Sequence, residues 1–413
     1  MPEQIQFSVY ARNGYRLMRL ITLFAFVCFL IPSLVSAQKS RTDQLVSEKT
    51  AKEIKKYEPN AGEIWVNKIA RWGLFAEPKG VYPWFGNVYS GGGAAGGAGL
   101  HLLFGDTASF DIHGGYSIAG YKLVETNLHL PELADKRIKF DIGGSYIDAT
   151  QVKFFGIGND SVEEAKTNFG YQPTSGSATA TIEPVKWLAF GGGYKYVDIS
   201  TSSGNGSSPS IEEKYNSSTA PGLGLDLTYN VYRGLLKIDT RPPRAYYSEG
   251  LLVDFEYAKY DETDNKPFSF ERMDVVASAW IPLLRANWII HPMAYFLTTN
   301  TDSDNEVPFF MLPSIGGGYR VRGFVDYRYQ DRHAMAFTLE YIWTPSHFVD
   351  MALFYDIGRV ASKRSDLDFK DLQDSYGIGF RIHARQTAVF RLDAAFSDEN
   401  KPRIVLSFGQ TYN

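Results

Sequence analysis

The chain has 413 residues, with 42 Lys and Arg against 46 Asp and Glu and a net charge of −4. That balance, with no basic tail or Lys/Arg stripe among aromatics, excludes nucleic acid as the natural partner. The single cysteine, Cys28, excludes a disulfide framework and a Cys-ligated metal cluster. With 44% hydrophobic residues, 38 Gly, 26 Tyr and 28 Phe, the composition is too polar for a bundle of membrane helices. It suits a membrane β-barrel, whose strands alternate lipid-facing and lumen-facing side chains.

The longest apolar run, residues 20–30, falls short of the about 20 residues a bilayer-spanning helix needs. Arg12, Arg16 and Arg19 precede it and Val35-Ser36-Ala37 follow, so residues 1–37 read as a secretory signal peptide, with Met18 as an alternative start. Residues 38–86 read as a periplasmic leader. Its Lys/Glu-rich stretch 47–57 fits one exposed helix or a solvated linker. Trp65, Trp72, Tyr82, Trp84 and Phe85 then lead into the first strand. So short a segment cannot enclose a sizeable core of its own; it is expected to pack against or into the barrel.

From residue 87 to 413 a period of two recurs between turn signals. Val253, Phe255 and Tyr257 alternate with Asp254 and Glu256. Met335, Phe337, Leu339, Tyr341 and Trp343 alternate with Ala336, Thr338 and Glu340. Charged residues and glycines share one face while large aromatics fill the other, the reverse of a soluble sandwich. The predicted fold is an all-β transmembrane antiparallel barrel of 16 strands: 88–104, 107–120, 121–130, 136–149, 150–158, 166–184, 186–200, 216–231, 249–262, 267–281, 285–299, 332–344, 347–360, 373–384, 386–397 and 402–412. Short connections such as 344–347 and 384–386 fall on the periplasmic side. Long ones, such as 198–218 and 358–374, fall on the extracellular side.

The longest connection, about 300–331, lies between strands 11 and 12 and so starts on the extracellular side. It contains Ile315-Gly316-Gly317-Gly318-Tyr319-Arg320-Val321-Arg322-Gly323-Phe324. Consecutive glycines allow positive φ and close packing; the arginines bring cations with fixed donor forks. The spacing alone fits either a loop folded into a confined space or a Gly-rich turn with solvated arginines. The predicted first strand is unusual too. Gly91, Gly92, Gly93, Gly96, Gly97 and Gly99 crowd into residues 90–99. Each glycine in a strand costs about 0.5–1 kcal/mol relative to alanine. Either this weakens a seam with the last strand, or it makes room for the inserted loop or the leader.

Val321-Arg322-Gly323-Phe324, between strands 11 and 12, resembles the Val-Arg-Gly-Phe signature of the BamA/TamA outer-membrane assembly-factor superfamily, or bacterial surface antigen family. Residues 154–161 (Phe-Phe-Gly-Ile-Gly-Asn-Asp-Ser) are similar to a strand-end motif of that family. Leu353-Phe354-Tyr355-Asp356-Ile357-Gly358 is similar to its Phe-x-Asp-x-Gly strand, Tyr376-Gly377-Ile378-Gly379-Phe380-Arg381 to the next, and residues 406–412 to its closing strand. The chain departs from the assembly factors in two ways. Residues 38–86 are too few for a periplasmic POTRA module, which points to a POTRA-less branch, and Tyr412 is followed by Asn413.

The resemblance implies a loop that enters the lumen, with its arginine paired to strand carboxylates. Strand parity turns Asp356 inward, because Met351, Leu353, Tyr355 and Ile357 fit lipid. It turns Glu340 inward likewise, and Arg381 and His383 are further lumen candidates. The resemblance also implies a lateral gate between first and last strands, holding Gly91, Gly92, Gly93, Gly96 and Gly97 on one side and Phe408 on the other. The function implied is help with insertion or translocation of proteins at the outer membrane. The alternative is a passive channel or surface antigen that retains the fold. Expected partners are outer-membrane lipid and nascent outer-membrane proteins, with the barrel monomeric. No Gly-x-Ser-x-Gly, His-Glu-x-x-His or phosphate-loop motif is present. The reading is therefore non-enzymatic, with no cofactor and no metal, and the loop acids Asp160, Asp261, Asp264, Asp302 and Asp304 are read as solvated.

Overall fold

The computed structural model describes residues 80–408 apart from 106, 134–136, 243–248, 284–286, 319, 347–348, 385–386 and 400. The expected signal peptide and residues 38–79 of the expected leader lie outside the described residues. Sixteen antiparallel strands form one sheet in chain order. They are β1 (Gly80–Asn87), β2 (Ala94–Phe104), β3 (Ala108–Ser117), β4 (Lys122–Leu133), β5 (Ile138–Phe154), β6 (Thr167–Val185), β7 (Leu188–Ser203) and β8 (Leu227–Asp239). After them come β9 (Gly250–Glu262), β10 (Phe270–Pro282), β11 (Trp288–Asn300), β14 (His333–Ser346), β15 (Val349–Ala361), β16 (Gln373–Ala384), β17 (Thr387–Phe396) and β18 (Arg403–Phe408). Inside the β11–β14 connection, β12 (Ser314–Ile315) and β13 (Tyr329–Gln330) pair with each other alone.

The wall alternates as a membrane barrel requires. Along β15, Met351, Leu353 and Tyr355 face outward and are exposed, while Asp350, Ala352, Phe354 and Asp356 are buried. Val81 and Phe85 of β1 are exposed on the same outer face. Each strand is hydrogen-bonded to its neighbours in the order; among the described residues no ladder joins the two end strands, β1 and β18. The sheet is thus a nearly closed barrel whose two end strands are β1 and β18.

Two expected boundaries are corrected, and the corrections cancel in the strand count. Residues 80–87, assigned to the leader, form the true first strand, paired with β2 from Gly80↔His101 to Asn87↔Ala94. It alternates strictly, but over only eight residues beside an aromatic-rich leader, so it read as the leader's end. The segments expected at 136–149 and 150–158 are one strand, β5. A register shift between Ala149 and Val152 breaks the period of two there and mimics a turn. The expected strand at 216–231 also starts later, at Leu227.

The glycine-rich stretch therefore does not form the seam strand. Gly91, Gly92 and Gly93 make the β1–β2 turn, with Gly91 and Gly93 at φ of 85° and 70°. Gly96 and Gly97 lie in β2. The glycines near the seam make room for β1 itself. A Cβ on Gly99 would come within 2.4 Å of the Tyr82 ring, and one on Gly115 within 2.3 Å of the Trp84 ring. Tyr82 reaches past β2 to donate to Asp111 Oδ2 on β3 at 2.7 Å, and Trp84 stacks on His113 at 5.1 Å. Gly115→Val should expel Trp84 and loosen β1. The expected cost is about 1–3 kcal/mol, read as faster hydrogen exchange on residues 80–87 with β6–β8 unchanged.

The β11–β14 connection crosses the mouth of the barrel. Phe309 packs edge-on against Phe154 of β5 and Phe169 of β6 at 5.2 and 4.8 Å. Gly158 N donates to Gln330 O at 2.8 Å, and Arg328 Nη1 donates to Ser161 Oγ at 3.0 Å. Residues 154–161 are thereby bound to the connection. Phe154, Phe169 and Phe309, with Ile211, Leu227, Tyr229 and Phe310, form a buried apolar layer at the long-loop end.

Candidate functional site

The sequence dictates a tight turn at the centre of the connection. Gly316 and Gly317 sit at φ of 104° and 88°, and a Cβ on either would lie 2.3 Å from an oxygen of Val325 or Asp326. Only glycine fits. Their amides donate to Arg320 O at 2.6 Å and Phe324 O at 2.9 Å, folding 316–324 back on itself. Val321 follows at φ 64°, a left-handed conformation costly for a β-branched residue. Its side chain is fully buried against β15, where a Cβ on Gly358 would meet Val321 Cγ2 at 2.8 Å. The glycine of the Phe-x-Asp-x-Gly strand is the space into which the valine packs.

That turn delivers Arg322 to the wall. Its Nε and Nη2 form a fork on Asp356, at 2.9 Å to Oδ2 and 2.7 Å to Oδ1, and its own amide also donates to Oδ2 at 3.0 Å. Nη1 donates to Glu340 Oε1 at 2.6 Å and to Asp393 Oδ2 at 3.1 Å. The guanidinium carbon lies 3.4 Å from the centroid of the Phe354 ring. Thr338 Oγ1 donates to Asp356 Oδ1 at 2.9 Å, and Gly323 N donates to Ser375 Oγ at 3.0 Å. Phe324, fully buried, meets Tyr329 edge-on at 5.3 Å.

The site extends beyond this fork. Arg381 Nη2 reaches Glu340 Oε1 at 2.9 Å; Arg391 Nε reaches Asp393 Oδ2 at 2.8 Å; His291 Nδ1 lies 3.2 Å from Glu340 Oε2. Arg322, Arg381, Arg391, Glu340, Asp356 and Asp393 are each at most 2% exposed. Asp350, also buried, stands opposite Arg381 in the ladder. Charges in such a place persist only when paired. Burial acts to lower the Arg322 pKa, but the Glu340 and Asp356 carboxylates outweigh it and hold the guanidinium above its usual value. Arg320 behaves oppositely. It lies 3.8 Å over the Tyr295 ring, and burial pushes it below the usual arginine range.

Strand parity identified Asp356 and Glu340, and both meet Arg322. Asp393, Arg391 and Ser375 carry no motif in the sequence; His291 is expected from it only as a lumen or interface residue, and Thr338 only as an alternating strand position. Parity carried their signal, since Phe390, Leu392 and Ala394 leave Arg391 and Asp393 on the other face of β17. The side chain of His383 lies outside the described residues. Gly91, Gly92, Gly93, Gly96 and Gly97 are far along the chain from this cluster, on the β1–β2 turn and β2. Phe408 ends β18 opposite Phe390 in the ladder, and its side chain lies outside the described residues.

Gly323 is as constrained as the arginine. A Cβ there would lie 2.5 Å from Ser375 Cβ and 2.8 Å from Ser397 Cβ. Gly323→Val is expected to destabilise the barrel by about 1–3 kcal/mol, measured as a lower transition temperature in heat-modifiable gel migration.

Comparison with known proteins adds a family. The Omp85 superfamily domain profile matches residues 103–412. No curated protein sequence matches the chain. Among solved structures, BamA from Haemophilus ducreyi lacking POTRA domains 1–3 is similar with TM-score 0.59 and 16% identity over 86% of this chain and 80% of that one. CdiB from Escherichia coli is similar with TM-score 0.55 and 14% identity over 81% of this chain and 63% of that one.

Proposed function

The chain belongs to the Omp85 superfamily, and we propose that this outer-membrane β-barrel assists insertion or translocation of proteins through its β1/β18 seam, with the loop arginine as the anchor that holds the barrel in working shape. The observation that carries the reading is the contrast between boundaries. Every other neighbouring pair of barrel strands is laddered, whereas β1 and β18 are not joined by a ladder among the described residues. In hydrocarbon an unpaired backbone edge is costly, and a client strand can satisfy it. The work asked of the protein is non-covalent: hydrogen bonding at a strand edge and local thinning of the membrane. The partners of this reading are outer-membrane lipid and nascent outer-membrane proteins, and a monomer suffices.

A passive channel needs a wet axial path. The apolar layer of Phe154, Phe169, Phe309 and Phe310 at the long-loop end opposes one. Deletion of the protein from its host, followed by quantitative outer-membrane proteomics, separates the two readings. Selective loss of outer-membrane barrels is expected. An unchanged proteome with altered solute permeability would establish the channel instead.

A further inference from the structure

Past Arg322 the loop runs on to the seam, and two adjacent residues there engage opposite sides of it. Asp326 Oδ2 accepts from Arg403 Nη2 at 2.7 Å, and Arg403 also donates to Phe324 O. Arg403 is the first residue of β18. Tyr327 stacks on Tyr89 at 6.1 Å and 20°; Tyr89 lies in the turn that leaves β1. Further contacts fix the β18 side: Ser397 Oγ donates to Gly323 O at 3.2 Å, and Arg328 Nε donates to Glu399.

Tyr327 holds a left-handed backbone, φ 62°. A bulky residue there is uncommon and persists only when its surroundings over-determine it. The loop thus reaches both sides of the boundary that, among the described residues, carries no ladder. An ion pair, 18% and 20% exposed at its two side chains, holds β18; an aromatic stack holds the β1 turn.

We propose that residues 324–327 are a strap that holds the long-loop end of the β1/β18 seam closed, with Asp326 and Tyr327 as positioning residues and Arg403 as the release point. The Arg322 cluster fixes the root of the strap to β14, β15 and β17. Opening then breaks the Arg403–Asp326 ion pair, the hydrogen bond from Arg403 to Phe324 O and the Tyr327–Tyr89 stack, and leaves the β17–β18 ladder intact. The inference rests on the seam reading above. Its test reports on the seam whether or not clients pass through it, so failure of the strap and failure of the client assay are distinguishable.

The full chain, with Cys28→Ser as background, is reconstituted in lipid nanodiscs with nitroxide labels on Asn87→Cys and Lys401→Cys, which flank the seam at the long-loop end. Distances are measured by pulsed electron–electron resonance, and heat-modifiable migration verifies folding of each variant. Asp326→Asn and Tyr327→Ala should each raise the long-distance population about fivefold, equivalent to about 1 kcal/mol. Asp326→Glu, which keeps the charge, should keep the parent distribution. An unchanged distribution in folded Asp326→Asn or Tyr327→Ala overturns the strap.

Discussion

Arg322→Ala is expected to release the β11–β14 connection from the wall and to lower the yield of folded barrel. The guanidinium serves three carboxylates on three strands, Asp356 of β15, Glu340 of β14 and Asp393 of β17. Its removal leaves those acids buried with Arg381 and Arg391 as the remaining cations of the six. Truncating one partner of a buried ion network costs about 3–5 kcal/mol, because the orphaned charge stays desolvated. Arg322→Lys should rescue little, since an ammonium cannot form the two-pronged contact to Asp356 or lie flat on Phe354. Protease sensitivity between 301 and 332, together with heat-modifiable migration, measures the effect. Parental behaviour of Arg322→Ala in both would remove the anchor role. Asp356→Asn provides the converse test, for it breaks the same fork while leaving the arginine near Glu340 and Asp393.

Under the proposed function, a disulfide between β1 and β18 is expected to abolish assembly activity, and its reduction to restore it. In the proposed function client strands pair with the β1 or β18 edge, and a covalent tie between β1 and β18 keeps that edge from being offered. Cysteines at the outward positions Val81 or Phe85 of β1, scanned against Ile404 or Leu406 of β18, provide the pairs; all four native side chains are exposed on the outer wall. Only pairs with Cα atoms about 4.4–6.8 Å apart can close without strain, so the scan also measures the seam's registration. Cys28 is the chain's single native cysteine, and Cys28→Ser removes the competing thiol. Assembly that continues undiminished in a fully oxidised variant would exclude the seam as the route.

Much of the fold was legible because side-chain alternation is a local property. Met351, Leu353 and Tyr355 against Asp350, Ala352 and Asp356 reveal both faces of β15 without reference to any other strand. The same parity pointed to Asp356 and Glu340. It failed where alternation is interrupted or short, at the β5 bulge and at the eight residues of β1. The two errors offset each other, so the connection carrying Arg322 still fell between the eleventh and twelfth barrel strands.

By itself the sequence determined an all-β membrane barrel and the position of its longest loop, because periodicity, turn residues and composition are written along one chain; Arg322 stood out from Arg320 only through the resemblance of residues 321–324 to a family signature. Only the tertiary structure decided which strand borders the seam, why Gly99 and Gly115 must be small, and that Asp393, Arg391 and His291 share the site with Arg322. Those depend on side chains from distant segments meeting in one volume. The charge of a buried arginine is settled by the carboxylates around it, and no spacing along the chain specifies that company.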